Sequence, residues 1–380
     1  MDNLYLAAAC AVVPGLGRKT LTALCKRLGS ARAVFEADAQ TLCAAGVREA
    51  AVEAFITTRD KQLPAKIDYY CRKLGMHLVS LWDEEYPEAL RTIGDPPVVL
   101  YVLGKLPQEK YCCAIVGSRN CTGYGERAAE YFATSLARQG IPIISGGAKG
   151  IDAAAHRATL LAGGVTVAVV GCGLDIDYPE SNAGLFRKIV EQGGAVISEY
   201  PPGTKPLSKN FPARNRIIVG LSQGVLVAEA AERSGATITA NIAADEGREV
   251  YCVPGNIFDG TSIGCHELIR TGAKLVDTPQ HILEDKVQWE LGMSLKATQP
   301  SIFDYVEQAD DLQPTPAPAP KRAATELGNK LLELLQGGAR SLEDLTEASG
   351  ADFATVSLEL LELEAAGLAG QDQARRYYRR

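Results

Sequence analysis

Four stretches between residues 112 and 203 repeat one pattern, and this repetition constrains the fold more than any other feature of the sequence. Each is a short β-branched, apolar run that ends in small residues where a strand would lead into a helix. The stretches are CCAIVGSRN, IPIISGGAKGID, VTVAVVGCGLDIDYP and GAVISEYPPG. Strands that are buried on both faces read as continuous apolar runs. The pattern predicts a doubly wound, mostly parallel α/β sheet whose loops gather at the carboxyl ends of its strands, where such folds bind ligands.

The flanking segments predict a four-part organisation. Residues 1–75 read as short helices in a small N-terminal all-α module, and residues 76–290 form the sheet domain. Residues 291–324 include a proline- and alanine-rich stretch, which is typical of an extended linker. Residues 325–380 predict three short helices and a basic terminal hairpin, as in a winged-helix-like domain. The third of these helices is acidic, which favours protein docking over DNA reading.

Composition narrows the function classes. The net charge is −7, which argues against a protein that coats nucleic acid with its whole surface, so a nucleic-acid site would be a local basic pocket. The ten cysteines lack C-x-x-C spacing and the four histidines form no ligand motif. We therefore expect a reduced, cytoplasmic protein without a metal site. No run approaches the roughly 20 apolar residues of a membrane-spanning helix.

The N-terminal segment VPGLGRKTLTALCKRLGS has two interpretations. It resembles a helix-hairpin-helix motif, in which the amides of Gly15 and Gly17, with Arg18 and Lys19, would hold a phosphate at a helix N-terminus. The glycines would equally suit a tight turn between two packed helices. The sequence does not separate these two interpretations.

One segment matches the residue spacing of a dinucleotide-binding fingerprint but not its expected position after a strand. The segment from Gly123 to Ala128 satisfies G-x-G-x-x-A, but it begins several residues beyond its strand. The second strand, which ends near Ser145, carries no acidic residue for a ribose hydroxyl. We expect no nicotinamide or flavin cofactor.

Two glycine-rich loops form the stronger candidate site. They follow the first two predicted strands, and their glycines allow backbone amides to approach an anion, while two cations and the following helices supply positive charge. The candidate residues are Gly117, Ser118, Arg119, Ser145, Gly146, Gly147, Lys149 and Asp152. Alternatively, the glycines only allow close packing of helix against strand. No Walker-type lysine motif occurs.

A third element, KPLSKNFPARNRIIVGLS, places an aromatic ring among cations. Single-stranded nucleic acid is bound in this way, because the ring stacks on a base and the cations follow the phosphates. The candidate residues are Lys205, Lys209, Phe211, Arg214, Asn215 and Arg216. Taken alone, Phe211 could instead pack a helix N-terminus.

These motifs together resemble the DprA/Smf family, also called DNA-processing protein A. The resemblance rests on IVGSRN, SGGAKGID, LDIDYP, ISEYPPG, FPARNRIIVGLS and GCHELIRTGAKLV in this order, and covers roughly residues 86–283. It implies an extended Rossmann-like domain that binds single-stranded DNA without a nucleotide cofactor and without catalysis. It also implies a protein that protects incoming strands during natural transformation and loads the recombinase RecA onto them.

The resemblance also assigns residue roles. Arg119 and Lys149 would contact phosphates, and Phe211 would stack on a base. Asn215 and Arg216 would line the pocket. Lys205 and Lys209 both remain candidates for one further phosphate contact. The GCHELIRTGAKLV segment resembles a dimerisation surface, which implies a homodimer with His266, Ile269 and Leu275 at its interface.

The main alternative is an enzyme. Acidic residues near the strand ends, Asp175, Asp177, Glu199 and Glu229, could do acid–base work. A Rossmann-like hydrolase of nucleoside phosphates would use Glu199 or Asp152. However, the P-G-G-x-G-T-x-x-E loop of the cytokinin-activating hydrolases is absent, because the comparable stretch reads AAERSGATITA.

Overall fold

The computed structural model describes residues 3–12, 18–232, 234–298, 325–338, 340–366, 368–372 and 376–379. The protein divides into two compact units, Met1–Lys296 and Ala297–Arg380. Each unit has its own hydrophobic core.

A nine-stranded sheet organises the first unit. Its strands are β1 (His77–Ser80), β2 (Val99–Gly104), β3 (Cys113–Gly117), β4 (Ile143–Ser145), β5 (Thr166–Val169), β6 (Ala195–Ser198), β7 (Gly224–Glu229), β8 (Glu249–Cys252) and β9 (Lys274–Leu275). Their spatial order is β1-β2-β6-β5-β4-β3-β7-β8-β9. The seven strands from β6 to β9 in this order run parallel, whereas β2 is antiparallel to both β1 and β6.

Helices cover both faces of the sheet. Those that follow the N-terminal module are α7 (Glu88–Arg91), α8 (Gly123–Arg138), α9 (Ile151–Leu161), α10 (Ala183–Glu191), α11 (Asn210–Gly220), α12 (Gly235–Asp245), α13 (Ile263–Arg270) and α14 (Gln280–Thr298). Helices α8 and α9 contribute to the core on one face, and α11 and α12 contribute to the core on the other. Strands β3, β4 and β5 are buried almost throughout because they lie between these layers. The predicted doubly wound, mostly parallel fold is confirmed.

The described N-terminal residues, 3–12 and 18–74, form six short helices that share a core with the sheet. They are α1 (Asn3–Val12), α2 (Arg18–Leu28), α3 (Ala31–Glu36), α4 (Ala39–Ala44), α5 (Glu49–Thr58) and α6 (Leu63–Leu74). Leu21, Phe35 and Phe55 pack in their common core, which also includes Tyr101 of β2. Two of the helices begin at side-chain caps, where Ser30 and Asp38 accept backbone hydrogen bonds.

Two of the sequence-based expectations are changed or left open. Helix α14 continues to Thr298, so residues 291–298 of the range predicted as a linker are helical. The glycines of the suggested helix-hairpin-helix turn, Gly15 and Gly17, lie outside the described residues.

The described residues of the second unit from 325 onward include three α-helices and a hairpin. The helices are Glu326–Leu334, Leu342–Ser349 and Phe353–Ala365, and strands Ala369–Gln371 and Tyr377–Arg379 pair antiparallel. The helices enclose a small core that contains Leu331, Leu345 and Leu360. This order of elements confirms the predicted winged-helix-like domain. Among the described residues of both units, no helix has the length and apolar character needed to cross a membrane.

Candidate nucleic-acid interface

The strand order creates a crevice beside β3. From β3 the polypeptide proceeds outward through β4, β5 and β6, and then returns to place β7 on the other side of β3. The helices that follow β3 and β7 lie on opposite faces of the sheet, so the carboxyl ends of these two strands border an open crevice. A cavity of about 560 Å³ lies there. Seven of the predicted residues line it: Gly117, Ser118, Arg119, Asp152, Phe211, Arg214 and Asn215.

The Phe211 ring lies among arginine and tyrosine side chains in this cavity. The guanidinium carbons of Arg119 and Arg214 lie 5.3 and 5.8 Å from its centroid. The ring of Tyr178 lies 5.6 Å away, tilted by 38°. Phe211 is half-buried and Arg119 is exposed. A half-buried aromatic face beside an exposed cation suits a ligand that combines a flat ring with an anion, as a nucleotide does.

Arg214 stabilises the loop that follows β4 through hydrogen bonds. Its side chain is buried, and Nη1 donates hydrogen bonds to the carbonyl oxygen of Gly146, at 2.8 Å, and to that of Val169. Burial lowers the pKa of Arg214 to about 10, although the nearby Asp152 carboxylate counteracts this. Burial likewise raises the pKa of Asp152, and Arg214 opposes the shift. Each buried charge therefore compensates the other.

The two glycine loops pack directly against each other. Gly150 has φ of +73°, and a Cβ there would lie 2.3 Å from the carbonyl oxygen of Ser118. The amide of Ile151 donates to that same oxygen at 3.2 Å. From the other side, the Asn182 side chain donates to the carbonyl oxygens of residues 147 and 148, both at 3.0 Å. The glycines therefore allow the two loops to pack closely.

Glu229, at the end of β7, shapes the turn that carries Arg119. It is buried, and its carboxylate accepts hydrogen bonds from the amide of Thr122, at 3.0 Å, and from the Thr122 hydroxyl. Its carbonyl oxygen accepts from the amide of Ser118 at 2.8 Å. Its position in the sequence indicated only an acid near a strand end. The structure gives it a supporting position under the 118–122 turn.

Several predicted residues are not among those that line the cavity. Lys149, Lys205 and Lys209 are exposed. They stand in or beside loops that border the cavity, where they add positive charge around its mouth. Their contact with phosphate remains a prediction.

Arg216 is paired with carboxylates. Its Nη2 donates to Glu199 at 2.6 Å, and its Nε donates to Asp95 at 3.2 Å. These contacts raise the pKa of Arg216 even though burial opposes the change. In this arrangement its charge is neutralised by protein groups rather than directed into the cavity.

Three further predicted residues are buried and do not line the cavity. The Ser145 hydroxyl is buried and donates to the carbonyl oxygen of Ile115 at 2.7 Å. Gly146 and Gly147 are also buried, and a Cβ at Gly146 would lie 2.7 Å from an oxygen of Asp152. These residues are placed to shape the loop.

Sequence reasoning missed two parts of the cavity wall. Tyr178 is 41% exposed and faces Phe211, and the first residues of α12 also line the cavity. Ser234 caps α12 by accepting from the amide of Thr237 at 3.3 Å. The positive end of this helix adds to the preference for an anion. The LDIDYP and SGATIT segments were both visible in the sequence, but nothing local indicates that they line one cavity.

The residues predicted at a dimer interface lie at the far end of the sheet. Nε2 of His266 lies 3.1 Å from the carbonyl oxygen of Gly255. Ile269 is partly buried and packs against the main core. Leu275, in β9, is 49% exposed. Of the three, Leu275 offers the most apolar surface to a partner.

A doubly wound sheet with a cavity at its switch point, lined by arginine and aromatic side chains, defines a Rossmann-like protein. Comparison with protein families identifies the family to which this protein belongs. The model of the DNA recombination-mediator protein A family matches residues 77–286. The model of the DprA winged helix domain matches residues 315–373. The protein belongs to the DprA/Smf family, and the resemblance drawn from the motifs is confirmed.

Individual relatives agree with this assignment. Protein Smf of Escherichia coli is 38% identical over 331 residues, which cover 87% of this chain and 84% of that protein. DNA processing protein DprA of Streptococcus pneumoniae is 48% identical over 207 residues, covering 54% of this chain and 73% of that protein.

Two solved structures are similar as well. The X-ray structure of DprA from S. pneumoniae matches with a TM-score of 0.60 and 37% identity, over 75% of this chain and 98% of that chain. A structure of DprA from Helicobacter pylori, described by its single-stranded DNA binding mode, matches with a TM-score of 0.50 and 29% identity. It covers 56% of this chain and 96% of the other.

Proposed function

We propose that this protein binds single-stranded DNA in the cavity beside β3, protects the strand and passes it to the recombinase RecA. The observation that carries the proposal is the Phe211 ring, which lies beside the guanidinium groups of Arg119 and Arg214. The proposed division of labour assigns base stacking to Phe211 and phosphate contact to Arg119. Lys149, with Lys205 or Lys209, would follow the backbone at the mouth of the cavity.

The geometry favours a single strand over a duplex. Stacking on Phe211 needs a base whose face is free, and in a duplex the neighbouring bases cover both faces. Phosphate contacts without base readout give little sequence preference, so we expect binding to tolerate many sequences. The acidic body of the protein, with its net charge of −7, disfavours binding of duplex along the whole surface.

The relatives support the same proposal. The H. pylori structure is described as binding single-stranded DNA, and the matching family is described as a recombination mediator. The hydrolase alternative finds no comparable support. Its two candidate acids are not paired in the cavity, because Asp152 lines it while Glu199 is engaged by Arg216 at 2.6 Å.

A titration of labelled oligothymidine and of a matched duplex, both at moderate salt, tests the proposal. We expect tight binding of the single strand and much weaker binding of the duplex. Equal affinity for the two would contradict a pocket that needs an unpaired base. If neither binds, nucleotides and nucleoside phosphates become the ligands to screen.

The recombinase step is tested in the same system by adding RecA and ATP. We expect RecA to assemble faster on the strand when this protein is bound to it. An unchanged assembly rate would limit the proposal to strand binding.

A further inference from the structure

The outer face of helix α8 carries aromatic and cationic side chains in one line. Tyr124, Arg127, Tyr131 and Arg138 occur at spacings of three, four and seven residues, which place them on the same side of a helix. Tyr124 and Tyr131 are 45% and 51% exposed, and both arginines are exposed. These four residues are called the tyrosine–arginine stripe below.

The core does not account for the stripe. Helix α8 packs on the sheet through its other side, where Ala129, Phe132 and Leu136 are fully buried. Burying a large aromatic side chain stabilises a fold because its apolar surface is removed from water. The two half-exposed tyrosines therefore contribute only part of this stabilisation. Exposed rings with cations between them are instead a common surface for single-stranded nucleic acid.

The stripe begins where the wall of the cavity ends. The turn from Ser118 to Thr122 leads from the cavity directly into α8, and Thr122 caps the helix by accepting from the amide of Gly125 at 3.2 Å. The Tyr124 hydroxyl donates to the carbonyl oxygen of Pro254 at 2.6 Å, which fixes its ring near the carboxyl end of β8. With a rise of 1.5 Å per residue, Tyr131 lies about 10 Å further along the helix.

The charges of the stripe are available to a ligand. Among the residues that the structure describes, neither Arg127 nor Arg138 forms an ion pair, whereas the neighbouring Glu126 is paired with Arg157 at 3.0 Å. Glu130, the other acid of the helix, lies about 90° around the helix from the centre of the stripe. The stripe therefore presents positive charge and aromatic faces without a carboxylate among them.

We propose that the tyrosine–arginine stripe is a second contact surface for the same DNA strand, which leaves the cavity past Arg119 and continues along α8. The tyrosines stack on bases and the arginines contact phosphates. This proposal rests on the proposed function. It predicts that the stripe does not affect the affinity for strands too short to leave the cavity. The affinity for longer strands should depend on it.

The test compares oligothymidines of about 6 and about 24 nucleotides by fluorescence anisotropy, using the full-length protein. For Tyr131→Ala we expect roughly tenfold weaker binding of the long strand and unchanged binding of the short one. For Arg127→Ala we expect the slope of log K against log salt to become shallower by about 0.7, for the long strand only. Tyr69→Ala, at a 58% exposed tyrosine of the N-terminal helices, is the matched control and should change neither.

Tyr131→Phe separates stacking from damage to the fold, because Tyr131 also contacts the Phe132 ring edge-on at 5.5 Å. The phenylalanine should restore long-strand affinity. Unchanged long-strand binding in both the Tyr131→Ala and Arg127→Ala variants would overturn the proposal, as would equal losses for the two lengths. Failure of the cavity proposal looks different, since Arg119→Ala would then leave short-strand binding intact.

Discussion

Phe211→Ala should weaken oligothymidine binding by tenfold or more, whereas Arg119→Ala should change its salt dependence. Stacking of one base on an aromatic side chain contributes about 1–3 kcal/mol. Removal of the ring eliminates this contribution and leaves the number of neutralised phosphates unchanged. The slope of log K against log salt should therefore stay nearly constant in Phe211→Ala.

Arg119→Ala removes an exposed cation beside that ring. For single strands the slope changes by about 0.7 for each phosphate that is no longer neutralised, so we expect a shallower slope by about that amount together with weaker binding. Equilibrium titrations between low and moderate salt measure both quantities. Arg72→Ala, at an exposed arginine of the N-terminal helices, controls for a general decrease in positive charge. Equal slope changes in Phe211→Ala and Arg119→Ala would contradict the two roles.

Leu275→Glu should convert a dimer of this protein into a monomer. Leu275 lies in β9, the last strand of the sheet, and is 49% exposed. Other large apolar side chains nearby in the sequence are also exposed, namely Ile257, Phe258 and Ile263. Exposed apolar side chains near a sheet edge are typical of an interface between subunits. We propose that this end of the sheet, with His266 and Ile269, is where two copies meet.

Leu275 is a better position for this test than Ile269, which also packs against the main core. A glutamate at Leu275 would bring two like charges together across a two-fold interface, where every unfavourable contact occurs twice. Sedimentation velocity at micromolar concentration measures the result. Leu161→Glu, at an 89% exposed leucine of α9, is the control and should remain dimeric. A dimer that persists in Leu275→Glu would place the interface elsewhere.

Dimerisation would change how long strands are bound. Two cavities that are held together raise the effective concentration of the strand at the second cavity once the first is occupied. We therefore expect the Leu275→Glu variant to lose affinity for strands long enough to reach both cavities.

Local sequence patterns predicted the sheet and the neighbourhood of Arg119 and Phe211. Continuous apolar runs identified the parallel strands, and the carboxyl ends of parallel strands necessarily meet at one edge. These patterns do not predict in which direction each side chain of a helix points. Arg214 and Arg216 both belong to α11 and were named together, but two residues correspond to about 200° of rotation. They therefore point to opposite sides, one towards the cavity and the other towards Glu199.

Contacts between distant parts of the polypeptide were also hidden from the sequence. Glu229 supports the turn at Thr122 across 107 residues, and only the pairing of β3 with β7 brings them together. Tyr178 contacts Phe211 because a loop after β5 and a helix after β6 converge on one crevice. Residue type indicates what such groups can do, whereas tertiary packing decides which groups do it.

The measurement that tests the central claim most directly is photo-cross-linking of a thymidine-analogue oligonucleotide, with the modified peptides located by mass spectrometry. If the strand occupies the cavity, cross-links should form in peptides that contain Tyr178 or Phe211, and they should disappear when unlabelled single strand is added in excess. Cross-links confined to the winged-helix-like unit, with none around the cavity, would contradict the account.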